Sequence, residues 1–249
     1  MSSSTHAHTT TAAATPGAAG FGGRLILVRH GQTYGNVARA LDTALPGQPL
    51  TPEGQSQARA VGRALADIVT QGGPVALFTS EAVRAQQTGL LLAEGLRAGG
   101  AAAPRVLSLP GIKEIAAGDW EGNTDEPSMV GYIDVVRAWM AGNHEPVIPG
   151  GETYEEFVGR WAPLFGSLAA KLAPGGVWDG RDVVVVSHGA AIRTITAAMT
   201  IIDPQLMSNS MIRNCGFIAL RPPTAATTRW FIEGWDKVSF IAEDGTAGG

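Results

Sequence analysis

The tightest constraint on this chain is one design used twice. An aliphatic run ends abruptly in histidine and glycine. Leu25-Ile26-Leu27-Val28 leads into Arg29-His30-Gly31-Gln32-Thr33, and Val183-Val184-Val185-Val186 leads into Ser187-His188-Gly189. A short, continuous run of branched apolar residues reads as a strand buried on both faces. In open α/β sheets, chemistry gathers at the carboxyl ends of such strands. A glycine directly afterwards lets the backbone turn closely past a ligand. Two strand–His–Gly turns therefore predict two histidines that meet at one edge of one sheet.

The segments between them alternate. Thr51-Pro52-Glu53 opens a helix, with threonine as cap and proline in the first turn. Ala58, Val61, Leu65 and Ile68 continue it at helical spacing, and Gly72-Gly73-Pro74 closes it. Val75 to Phe78 is a short strand, followed by a helix from Glu81 to about Leu96 with Arg84 in its first turn. Arg105 to Ser108 is a further strand, Glu114 to Thr124 a loop, and Ser128 to Ala141 a helix. Phe157, Trp161, Leu164, Leu168 and Leu172 mark a long helix in which Pro163 predicts a kink or a late start. Gln205 to Arg213 connects to strands near Phe217–Leu220 and Trp230–Ile232. This alternation predicts an α/β domain on a largely parallel sheet. The domain is expected over 23–240, with a polar tail at 1–22 and a short one at 241–249.

Several function classes are disfavoured. A formal net charge of -4 gives no bulk basic face for nucleic acid. No apolar run approaches the roughly 20 residues of a membrane helix. The single cysteine, Cys215, rules out a disulfide within the chain and fits a reducing cytoplasm. It lies in Asn214-Cys215-Gly216-Phe217-Ile218, which reads as a strand entry, and is given a structural role.

Four stretches, in order, resemble the histidine phosphatase superfamily, the phosphoglycerate mutase-like enzymes of branch 1. They are Arg29-His30-Gly31-Gln32-Thr33 with Asn36, the segment Thr79-Ser80-Glu81-Ala82-Val83-Arg84-Ala85-Gln86-Gln87-Thr88, the acidic segment Glu114 to Gly122, and Ser187-His188-Gly189. The resemblance implies a three-layer α/β/α sandwich and a phosphohistidine mechanism without metal or cofactor. It implies His30 as nucleophile and Glu114 as proton donor and acceptor, with Asp119 and Glu121 as rivals in the same loop. The branch that takes its acid directly after the second histidine would need an aspartate where Gly189 stands.

Phosphoryl transfer needs positive charge around three oxygens, an in-line nucleophile and an acid for the leaving oxygen. Arg29 and Arg84 offer planar donor forks. His188 offers a third contact, and Asn36, Thr33, Gly189 and Arg39 are expected substrate contacts, with Arg213 as an extra one. Neighbouring cations favour a neutral, nucleophilic His30. A zinc site is the competing reading of two histidines and acids, but arginines aimed at one point repel a dication and attract phosphate. The expected substrate is a small phosphomonoester, and a homodimer is an assembly the resemblance allows.

Two further features bear on the reaction. The segment between Gly122 and Gly150 holds one arginine, Arg137, and no lysine, which is thin for gripping a bisphosphate. Gly150-Gly151-Glu152-Thr153 resembles the phosphatase groups. The reading is a phosphatase, with a mutase or a non-catalytic phosphoester-binding protein as alternatives. The loop Arg39-Ala40-Leu41-Asp42-Thr43-Ala44-Leu45-Pro46 departs from the family pattern at the place that borders the leaving group.

Overall fold

The computed structural model describes residues 22–240, with side chains to residue 235. The expected tails lie outside the described residues, apart from Gly22. Six strands form one sheet: β1 (Arg24–Arg29), β2 (Ala76–Thr79), β3 (Val106–Ser108), β4 (Asp182–Ser187), β5 (Ser210–Arg221) and β6 (Phe231–Phe240). Their order is β3-β2-β4-β1-β5-β6. The first four in that order run parallel, whereas β5 lies antiparallel to β1 and β6 antiparallel to β5.

Seven helices accompany the sheet among the described residues: α1 (Tyr34–Ala38), α2 (Pro52–Ala66), α3 (Val83–Ala98), α4 (Glu126–Met140), α5 (Tyr154–Leu172), α6 (Gly189–Met199) and α7 (Pro204–Ser208). Side chains alternate across a strand, and the two cores follow that rule. Leu25, Leu27, Val183 and Val185 pack with Val136, Phe157, Trp161 and Ile192 from α4, α5 and α6. Ile26, Val28, Val184 and Val186 pack with Val61, Leu65, Leu92 and Leu96 from α2 and α3. Helices on both faces of a mostly parallel sheet make the expected three layers. Each of these fully buried aliphatic side chains contributes about 1.5–3 kcal/mol by leaving water.

Some boundaries differ from expectation. Helix α2 stops at Ala66, and Ile68 lies beyond it, 42% exposed. Helix α5 begins with a capping box at Thr153 and Glu156 and continues through Pro163, so no late start occurs. Strand β5 begins at Ser210, earlier than its apolar run suggests, because a register shift between Ile212 and Phe217 breaks the alternation. Cys215 sits inside that bulge, buried, with φ of 59°. No described helix is long and apolar enough to cross a membrane.

Candidate active site at the carboxyl edge of the sheet

Strands β1 and β4 are parallel neighbours, and Arg29 pairs with Ser187 in register. Both chains therefore leave the sheet side by side, and the His30 amide donates to the Ser187 carbonyl at 2.9 Å. The His30 and His188 rings meet edge to face, with centroids 5.3 Å apart. Strand β2 ends on the other side of β4 and feeds α3, which brings in Arg84 and Thr88. Thr88 Oγ1 accepts from the Gly31 amide at 3.0 Å and donates to the Arg84 carbonyl at 2.7 Å. Gly31 leaves no room for a side chain, since a Cβ would stand 2.4 Å from the Gly54 carbonyl oxygen.

His30 is buried, and its Nδ1 lies 2.8 Å from the Gly31 carbonyl. A carbonyl only accepts, so Nδ1 holds the proton and Nε2 keeps a free lone pair. Burial, then the charges of Arg84 and Arg29, hold the imidazole well below its ordinary pKa. His188 is likewise held well below, first by burial and then by Arg84. Its Nδ1 accepts from Arg84 Nε at 3.2 Å, and its Nε2 faces Ser80 Oγ at 2.8 Å. Both ring nitrogens of His188 are thus engaged within the protein and not free for the third contact expected of it.

The two guanidinium groups are short of partners. Arg29 Nη1 donates to the Ile212 carbonyl at 2.8 Å, but its Nε is buried without a hydrogen bond, as is Arg84 Nη1. Burial lowers the pKa of both guanidinium groups. Buried donors without partners are rare and costly. Both arginines line one hollow of about 100 Å³, with His30, Thr33, Asn36 and Glu114.

Glu114 enters from the loop after β3. Its carboxylate accepts from the amides of Ile115, Ala190 and Ala191 at 3.0, 3.1 and 2.7 Å. The amides of Ala190 and Ala191 thus hold the carboxylate at the start of α6. The rival acids are placed otherwise. Glu121 accepts from the amides of Thr43 and Ala44 and from the Thr43 hydroxyl. Asp119 abuts Gly150.

Of the expected substrate contacts, Thr33 and Asn36 form a capping box on α1 and also reach the hollow. Asn36 Oδ1 accepts from Thr33 N and Asn214 Nδ2, each at 3.1 Å, so any bond it gives a ligand comes from Nδ2. Gly189 and Arg39 are not among the lining residues. Gly189 instead makes room for Arg29, whose Nε would lie 3.1 Å from a Cβ there. Arg39 is an exposed, left-handed C-cap of α1, and Arg213 is exposed on the β5 bulge.

Several residues at the site carried no signal in the sequence. Asp42 lines the hollow and lies 3.6 Å from Arg84 Nη1. Asn214 Nδ2 donates to the His30 carbonyl at 3.1 Å, and the Cys215 amide approaches the same oxygen at 3.3 Å. Arg193, half-buried in α6, donates to the Ser210 carbonyl at 2.8 Å, and desolvation pulls its pKa down to about 10. Only its position one turn after the second histidine could have marked it.

Comparison with known proteins agrees with this geometry. Residues 25–235 match the family model described as histidine phosphatase superfamily (branch 1). A PE-PGRS family protein of Mycobacterium tuberculosis is 31% identical over 85% of this chain, which spans 36% of that protein's length. A metal-independent phosphoserine phosphatase of Arabidopsis thaliana is 26% identical over 89% of this chain and 84% of its own. A 2,3-bisphosphoglycerate-dependent phosphoglycerate mutase of Bradyrhizobium is 32% identical over 73% and 83%. The structure of mycobacterial glucosyl-3-phosphoglycerate phosphatase aligns over 85% of this chain and 97% of that one, at 26% identity and a TM-score of 0.66. With the family model spanning every residue of the site, the chain belongs to branch 1 of the histidine phosphatase superfamily.

Proposed function

We propose that the protein hydrolyses small phosphomonoesters through a phosphohistidine formed on His30. The observation that carries this reading is the pair of arginines in one hollow, each with a buried donor that makes no hydrogen bond, beside a neutral imidazole with a free Nε2. Arg29 and Arg84 take the phosphoryl oxygens, with His188 aligning Arg84 and Asn36 adding a neutral donor. Nε2 attacks phosphorus as the bond to the leaving oxygen breaks, and Glu114 gives that oxygen its proton. Water then attacks the phosphohistidine, Glu114 takes its proton, and phosphate leaves.

The charge balance of the hollow favours hydrolysis over transfer between sugar-acid positions. Its lining holds two arginines, both needed by one phosphoryl group, and two carboxylates, Asp42 and Glu114. A mutase must also hold a second anionic group on its substrate, and Asp42 repels one. The mutase relative gives the second reading a specific footing. Incubation with p-nitrophenyl phosphate and with 3-phosphoglycerate decides. Release of phosphate by the wild type and none by His30→Ala supports the proposal. Formation of 2-phosphoglycerate without free phosphate overturns it in favour of the mutase.

A further inference from the structure

The loop that presents Glu114 is held from outside the site by one ion pair. Arg160 Nη1 donates to the carbonyls of Gly111 and Lys113 at 2.7 and 2.8 Å, and Nη2 donates to the Glu114 carbonyl at 3.0 Å. The same guanidinium grips Glu152 with both Nε and Nη2 at 2.8 Å. Glu152 in turn accepts from the Ala116 amide at 2.9 Å. Four backbone groups, the carbonyls of Gly111, Lys113 and Glu114 and the amide of Ala116, are thus fixed by two side chains. Both are largely buried, with 15% and 13% of their side chains exposed.

The local sequence explains how these two meet. Glu152 directly precedes the Thr153 cap of α5, and Arg160 lies eight residues later, in the second turn of that helix. The preceding Gly150-Gly151 turn packs onto the acidic loop with no space for side chains. A Cβ at Gly150 would stand 2.3 Å from Asp119 Oδ1, and one at Gly151 would stand 2.7 Å from the Ala116 carbonyl oxygen. Tyr132 supports the other side through its hydroxyl, which donates to the Ile115 carbonyl at 3.0 Å.

We infer that Glu152 and Arg160 are positioning residues for proton transfer, holding the 111–116 backbone so that the Glu114 carboxyl meets the leaving oxygen. This rests on the reading that Glu114 is the acid. Neither residue lines the hollow, so neither touches the phosphoryl group. Their effect should depend on how much the leaving group needs a proton. An alkoxide needs one as the P–O bond breaks, whereas p-nitrophenolate departs without one.

The test compares kcat/KM, which reports formation of the phosphohistidine, for glycerol 2-phosphate and p-nitrophenyl phosphate. The variants are Arg160→Met, Arg160→Lys, Glu152→Gln and Glu114→Gln. General acids contribute about 10²–10⁴-fold, so Glu114→Gln should lose that much on the glycerol ester and far less on the nitrophenyl ester. Arg160→Met should lose about 10–10²-fold on the glycerol ester, and less than about 3-fold on the nitrophenyl ester, by the same measure. Glu152→Gln should show the same pattern more weakly, and Arg160→Lys should recover only part, since an ammonium cannot span the three carbonyls. Glu152→Gln keeps the shape of the pair and serves if Arg160→Met does not fold. Equal losses on both esters in the Arg160 and Glu152 variants, with selective loss in Glu114→Gln, overturn the inference alone. Equal losses in Glu114→Gln as well remove the acid assignment and the inference with it.

Discussion

The Nδ1 of His188 accepts a hydrogen bond from the Nε of Arg84 at 3.2 Å, so the second histidine fixes the second arginine. Replacing His188 by Asn keeps a polar group but moves the acceptor off that line. Arg84 would then lose its Nε partner while its Nη1 already lacks one. The expected result is inhibition by orthophosphate weakened about tenfold, the cost of roughly one charge-assisted hydrogen bond, together with a fall in turnover. Steady-state product inhibition measures it; an unchanged inhibition constant would disprove the coupling.

Two desolvated guanidinium groups facing one hollow should make the fold respond to anions. Orthophosphate at a hundred times its dissociation constant should raise stability by about 2.7 kcal/mol, read as a rise in Tm. Arg84→Met takes away the donor to His188 Nδ1 and the ion-pair partner of Asp42, so its Tm without phosphate should fall below that of the wild type. The same variant should show no phosphate-induced shift. Thermal scans with and without phosphate give both answers.

The two imidazoles also set how stability depends on pH. Both are held well below the ordinary histidine value, chiefly by burial and then by Arg84. As pH falls below about 6.5, the unfolded chain binds protons that the folded protein refuses. Stability therefore drops on acidification, by at most about 1.4 kcal/mol per pH unit for each histidine. The drop ends only when pH passes the depressed folded-state value, and above 6.5 the effect is absent. His30→Asn should flatten the slope of Tm between pH 6.5 and 5.5, and an unaltered slope would show that His30 is not held neutral.

Chelation should do nothing. Among the described residues no three histidine, cysteine, aspartate or glutamate side chains are grouped to hold a metal ion. Phosphate release from p-nitrophenyl phosphate should be the same before and after dialysis against EDTA, and added zinc should not raise it. Loss of activity restored by zinc would contradict the proposed mechanism.

Much of the site was legible because it lies at strand ends. The aliphatic runs before His30 and His188 marked two strands of a largely parallel sheet, and the helix that follows the Val75–Phe78 strand put Arg84 in its first turn. What stayed hidden depends on contacts between distant segments. Arg160 lies 46 residues beyond Glu114, and nothing in the periodicity of α5 distinguishes it from a surface arginine. Asp42 stands in the wall of the hollow beside Thr43, which Glu121 pins from 78 residues away. Asn214 reads as the start of a strand, yet it is a bulge residue whose amide group reaches the His30 carbonyl. The proline in α5 misled for a local reason, since the capping box at Thr153 and Glu156 starts the helix regardless of the later break in donors.

The place of β1 between β4 and β5 has a consequence for biosynthesis. Asp182, the first partner of Arg24, is encoded 158 residues downstream. At about 5–20 residues per second, the earliest strand of the domain waits roughly 8–30 s on the ribosome before either neighbour exists. Its aliphatic side chains stay exposed through that interval, and the nucleophile turn can close only once synthesis of the domain is nearly finished.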